Sequence, residues 1–174
     1  SDRPAPQSVA SDDFASGSAA GGTGWSNDWQ EEVAAGDILF TAGTLRLRDP
    51  DQSAQATRSV DLSGYINPTV SFTYTTAALD APDTFVIEYS NDGGATWNTI
   101  VDSFADGNNN NGGTVSNFSL GGVGTADTIL RARFTGGSGG NGEYFAIDNL
   151  DISAQLPGSP NYATSYDAKV GPVS

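Results

Sequence analysis

Cysteine, histidine and methionine are all missing from this 174-residue chain. Without cysteine there are no disulfides, no thiolate nucleophile and no Cys-ligated zinc or iron–sulfur centre. Without histidine the usual general base, the usual zinc ligand and every Ser-His or Cys-His dyad disappear as well. Positive charge is scarce, with 7 basic residues against 21 acidic ones and a formal net charge of −14. A surface of that sign repels phosphate backbones and anionic bilayers, so nucleic acid is not expected as a partner. No apolar run approaches the ~18–20 residues that span a bilayer, so no membrane insertion is expected. The N-terminus carries no basic-then-apolar export pattern. Two carboxylates suffice for glycoside hydrolysis, but no motif here marks such a pair, and the chain reads as non-catalytic.

Short alternating runs separated by turn formers are abundant, among them 22 glycines. In Thr69–Thr76, Val70, Phe72 and Tyr74 share one face. Asp83–Ser90 places Phe85, Ile87 and Tyr89 together. Thr128–Thr135 puts Leu130, Ala132 and Phe134 inward and Arg131 and Arg133 outward. This period of two is the strand signature. Weaker runs are Asp37–Phe40, Thr44–Arg48, Ala56–Leu62, Trp97–Phe104 and Val115–Leu120. No window holds a helical period over three turns. Nine or so strands at regular spacing predict an all-β fold, a two-sheet antiparallel β-sandwich of jelly-roll type. In Glu143–Ser153 the phase slips: Phe145 and Ile147 hold one face, Leu150 and Ile152 the other. The slip predicts a β-bulge at Asp148-Asn149, a device that can re-aim an acidic side chain.

Two motifs stand out. Ser90-Asn-Asp92-Gly93-Gly94-Ala-Thr96-Trp97 fits the Asp-box pattern S-x-D-x-G-x-T-W. It predicts a hairpin in which Asp92 caps turn amides, the glycine pair supplies positive φ, and Trp97 packs beneath. Near the N-terminus, Asp12-Asp13-Phe14 is followed by Gly24-Trp25 and Trp29. Phe14 is expected in the core; Trp25 and Trp29 are each either core or a platform for a sugar ring, with core the stronger reading for Trp25.

The acidic excess reads partly as surface charge and partly as a calcium site, since Ca²⁺ takes six to eight hard oxygens. Candidate ligands are Asp12, Asp13, Glu31, Glu32, Asp37, Asp49, Asp51, Asp148 and Asp151. If the first and last strands are neighbours, Asp13 and Asp148 come together, with Asp37 and Asp49 at turns that could join them. The polar loop Asp106–Gly113 is either a ligand loop or solvated slack. Gly136–Glu143 resembles one copy of a calcium-binding nonapeptide, but such repeats need stacked neighbours. Candidate ligand contacts are Trp29, Asp106, Asn108, Asn110 and Glu143.

Phe14…Gly24-Trp25…Trp29, Thr44-Leu45-Arg46-Leu47, Arg58–Gly64, Val70–Tyr74, Phe85–Ser90 and Tyr144–Ile152, taken in order, resemble a MAM-like jelly-roll module of large bacterial surface adhesins. Asn161-Tyr162…Gly171-Pro172-Val173-Ser174 is similar to the opening of a cadherin-like repeat in adhesins of the RTX kind. Residues 1–10, Pro- and Ser-containing with little apolar content, read as linker; the resemblance implies 11–154 as the binding module and 155–174 as linker and start of the next repeat. It implies a Ca²⁺ site built from Asp13, Asp37 and Asp148, with Asp12 and Asp49 beside them; the MAM pattern has Glu where this chain has Ala15. The expected function is calcium-dependent adhesion to a cell-surface glycan or peptide, by a secreted or cell-surface, monomeric module within a longer chain. The alternatives are a calcium-stiffened spacer and an accessory domain of a secreted hydrolase.

Overall fold

The computed structural model describes residues 3–31, 37–48, 54–103, 112–137, 140 and 142–158. Eleven strands are found among them: β1 (Gln7–Asp12), β2 (Gln30–Glu31), β3 (Ile38–Thr41), β4 (Thr44–Arg48), β5 (Gln55–Val60), β6 (Ile66–Ala77), β7 (Thr84–Ser90), β8 (Asn98–Asp102), β9 (Gly113–Ser119), β10 (Thr128–Gly136) and β11 (Tyr144–Gln155). Six form one antiparallel sheet in the order β3-β4-β11-β6-β9, with β1 also paired to β11. The other five form a second sheet, β2-β5-β10-β7-β8. The expected two-sheet β-sandwich is what forms, and no helix occurs among the described residues.

Alternation explains which faces meet. In β6, Val70, Phe72 and Tyr74 are buried while Ser71, Thr73 and Thr75 are not. In β10, Leu130, Ala132 and Phe134 point inward and Arg131 and Arg133 outward, as their period of two predicts. The two inner faces meet on an aromatic cluster. Phe85 of β7 stacks on Phe145 of β11 with centroids 4.1 Å apart, and Phe134 meets Phe145 edge-on at 5.0 Å. Such pairs add about 0.5–1.5 kcal/mol beyond the area they bury.

β1 departs from the sequence reading. Residues 7–10 were expected within a linker, yet they pair with the last strand, Gln7 opposite Ala154 and Asp12 opposite Leu150. Only Ala10 and Asp12 are buried in this strand. One inward position is a carboxylate, so the hydrophobic alternation never reached the level of a signal. β4 pairs with the earlier half of the same β11 edge, Tyr144 through Ile147. β1 and β4 therefore share one edge of β11, and the predicted bulge lies between them. The β6–β11 register shifts between Asp148 and Asp151, and Asn149 has φ 52°.

Candidate functional site

Among the described residues, Asp13, Asp37 and Asp148 do not converge into one set of donors. Asp37 immediately precedes Ile38, which lies opposite Leu47, itself opposite Phe145. That places Asp37 at the level of Tyr144. Asp148 is four residues further along β11, roughly 13 Å at about 3.3 Å per residue. Asp37 is buried, its Oδ2 has no hydrogen-bond partner among the described residues, and its carbonyl accepts the Arg48 N–H at 2.8 Å. Asp148 is half-buried and turns its Oδ1 back onto the Asn149 amide at 2.6 Å, so the bulge uses its carboxylate as a cap rather than projecting it. Asp13 is exposed and caps the Ala15 amide at 3.0 Å. With Asp12, Asn149 and Asp151 it lines an open cleft of about 390 Å³ where β1 meets β11.

Asp12 has a different employment. It is 2% exposed, and its Oδ2 accepts Arg58 Nη1 at 2.7 Å and Trp29 Nε1 at 3.3 Å. Its Oδ1 accepts the Phe14 amide at 2.8 Å. Arg58 reaches it from β5 in the opposite sheet, donates Nε to the Asn27 carbonyl at 3.0 Å, and lies 4.9 Å from the Trp25 ring centroid. Burial lowers the Arg58 pKa from its usual value and the Asp12 charge opposes that shift. Asp12 thus already has its cation. Trp29 is 5% exposed, packed on Phe14 at 6.1 Å and Trp25 at 6.4 Å. It is a core residue and presents no face to a sugar.

Asp49, Asp51, Glu32, Asp106, Asn108 and Asn110 lie outside the described residues. Glu31 ends the short β2 and is exposed.

One acidic cluster was missed by sequence reasoning. Asp80 and Asp83 in the β6–β7 connection and Glu143 before β11 each offer a carboxylate oxygen, all within 4.8 Å of one another. The pairing of Tyr144 with Ala77 brings those two connections to the same end of the sandwich. Glu143 is among the expected ligand contacts, and it ends the glycine-rich stretch that resembles a single calcium-binding nonapeptide. The only sequence signal was that repeat-like composition.

The outer face of the second sheet forms a second candidate surface. Arg131 donates Nε and Nη2 to Glu88 Oε1 at 3.0 and 2.8 Å, and Arg133 donates Nε to the same oxygen at 2.7 Å. Side-chain exposure falls from 34% for Arg133 through 17% for Arg131 to 5% for Glu88. The carboxylate is therefore the buried anchor and the guanidinium groups are the accessible part. The Arg131 guanidinium sits 3.6 Å above the half-buried Trp97 ring. At the other end of this strip Ala81, Pro82, Thr84, Val86, Asp102 and Thr135 line a shallow depression of about 510 Å³. The hydroxyls of Thr84 and Thr135 are 2.8 Å apart there.

The Asp-box places Trp97. Ser90 and Thr96 donate hydroxyls to Asp92 at 2.7 and 2.5 Å, and the Thr96 amide donates at 2.8 Å. These donors, the Thr96 hydroxyl first, hold the exposed Asp92 down at a pKa of about 2. Gly93 and Gly94 take φ of 72° and 96°, and the Trp97 ring lies under Gly94, as the motif predicts. The motif closes the β7–β8 hairpin and holds the ring against the Arg131 guanidinium.

No protein-family model matches the chain, and no curated protein matches it significantly in sequence. Solved structures it is similar to include TmCBM61 in complex with β-1,4-galactotriose, at 13% identity and TM-score 0.45 over 80% of this chain and 92% of that one. They also include the CBM22-1 xylan-binding domain of Paenibacillus barcinonensis Xyn10C, at 12% identity and TM-score 0.47 over 88% of this chain and 97% of that one.

Proposed function

We propose that this chain is a non-catalytic carbohydrate-recognition module of a secreted or surface-attached protein, and that the glycan lies along the outer face of the second sheet. The observation that carries the reading is the strip from Trp97 through Arg131 and Arg133 to the threonine-lined depression. A sugar ring offers an apolar C–H face and a rim of hydroxyls. The stacked Arg131–Trp97 pair offers a flat surface to the first, and fixed guanidinium donors with threonine hydroxyls suit the second. Glu88 holds both arginines on one oxygen, so their donors are oriented before a ligand arrives and less ordering entropy is lost on binding. The MAM-like resemblance and the adhesin role fit a module of this kind. Catalysis has little support: histidine is absent from the chain, and Glu88, the buried carboxylate of this face, is engaged by two guanidinium groups.

Electrophoresis of the protein through gels containing soluble β-galactans, xylans and other polysaccharides tests the proposal. The expected result is retardation by at least one polymer, weakened about tenfold or more in Trp97→Ala and Arg133→Ala. A polymer that retards both variants as strongly as the parent chain would move the site elsewhere. No retardation by any polymer, with peptide ligands also silent, would favour the spacer reading.

A further inference from the structure

We infer that Asp80, Asp83 and Glu143 form a calcium site that ties the β6–β7 connection to the entrance of β11. Three carboxylates with oxygens within 4.8 Å repel one another, and the repulsion grows as they leave water. Asp80 is exposed and Glu143 half-buried, so those two keep some hydration. Asp83 does not: it is 1% exposed.

The Asp83 side chain is the independent observation. Its Oδ2 accepts the Asp80 amide at 2.9 Å. Its Oδ1 is buried and has no hydrogen-bond partner among the described residues. No Arg or Lys forms an ion pair with it there, in contrast to Asp12 and Glu88. Oδ1 faces Gly137, where the connection that ends in Glu143 leaves β10. A Cβ at Gly137 would sit 2.0 Å from that oxygen, and Gly137 has φ 91°, so a side chain there is doubly refused. The fold packs Gly137 directly against a buried, unpartnered anionic oxygen and brings two more carboxylates to the same side chain. A charge buried in this way is costly unless a counter-charge offsets it.

The donor chemistry selects the ion. Carboxylate oxygens are hard donors, which suit Ca²⁺ or Mg²⁺ and not the metals that seek sulfur or imidazole. The donors come from two separate connections with one exposed member. Such a set tolerates the irregular, higher coordination of Ca²⁺ better than the strict octahedron of Mg²⁺. An ion here would fix Ala81 and Pro82, which lie between two of its ligands and line the depression on the outer face of the second sheet. The inference does not depend on the carbohydrate reading.

Isothermal titration of EDTA-treated, then desalted, protein with CaCl₂ and separately with MgCl₂ tests it without any sugar present. The expected result is one Ca²⁺ bound with an affinity in the ~10⁻⁴–10⁻³ M range of extracellular modules or tighter, and a weaker Mg²⁺ response. Glu143→Gln should weaken Ca²⁺ about tenfold or more, and Asp13→Asn should leave it unchanged. Asp83→Asn should abolish it. If that variant does not fold, Glu143→Gln, at a half-exposed position, decides. The absence of binding by the parent chain at about 10 mM CaCl₂ would overturn the proposal. So would a Glu143→Gln variant that binds like the parent, or binding lost in Asp13→Asn.

Discussion

Asp12 and Asp83 are the two most deeply buried aspartates described, at 2% and 1% exposure, and they are treated in opposite ways. Asp12 lies between the sheets and receives a guanidinium, an indole N–H and a backbone amide. Asp83 lies at the end of the sandwich and receives one amide on one oxygen. An anion removed from water must recover what it lost, and a protein can supply that from its own cations or from a captured one. The first solution fixes the fold under all ionic conditions. The second makes part of the stability depend on the medium. In a chain with 21 acidic and 7 basic residues, internal cations are scarce. A site short of an arginine is where a divalent ion has most to offer.

The comparison is broken most forcefully at Asp12. Asp12→Ala leaves Arg58 buried without its anion, and breaking a buried pair by removing one partner costs about 3–5 kcal/mol. The loss should be the same in EDTA and in CaCl₂, measured by urea denaturation. A loss that calcium repairs would mean that Asp12, too, belongs to an ion site.

Asp83→Asn should behave differently, and its effect is smaller. Asn can still accept the Asp80 amide while removing the unpaired charge. In EDTA the variant should match or exceed the parent in stability. In CaCl₂ at ~100 times the dissociation constant the parent should lead by up to about 2.7 kcal/mol, the stabilisation that a bound ligand confers at that ratio. Equal destabilisation in both media would show that Asp83 is held by the protein alone.

The fold was legible in the sequence where alternation was strong. β6, β7, β10 and β11 carry apolar residues at every second position within each phase, and the phase slip at Asp148-Asn149 marked a real bulge. β1 was not legible because its inward residues are Ala10 and Asp12, and Asp12 is comfortable there only because Arg58, 46 positions away, reaches across. The site was much less legible than the fold. Turn positions suggested that Asp13, Asp37 and Asp148 could meet, but the register along β11 keeps Asp37 and Asp148 apart. The cluster at Asp80, Asp83 and Glu143 is created by the same register, through Tyr144 opposite Ala77, which no local pattern encodes. Trp29 was undecided from sequence because an indole suits a core and a platform equally. The neighbours Phe14 and Trp25 decide it.

Asp92 sharpens the comparison from a third direction, with the smallest expected effect. It is exposed, and its donors are hydroxyls and amides rather than a cation. They hold its folded pKa at about 2, below the ordinary 3.8. Because the folded value is the lower one, this anion favours the folded state above the unfolded pKa. That contribution fades as pH falls from about 4 through about 2. Asp92→Asn keeps one acceptor and removes the titration. Between about pH 5 and about pH 2 the parent chain should therefore lose more stability than the variant, although every other carboxylate titrates in both. Urea midpoints at the two pH values give the difference directly, and it should be insensitive to CaCl₂ because no cation takes part in the Asp-box. Parallel pH curves for parent and variant would mean that the unfolded chain holds Asp92 in a similar turn, so that the hairpin forms before the sandwich does.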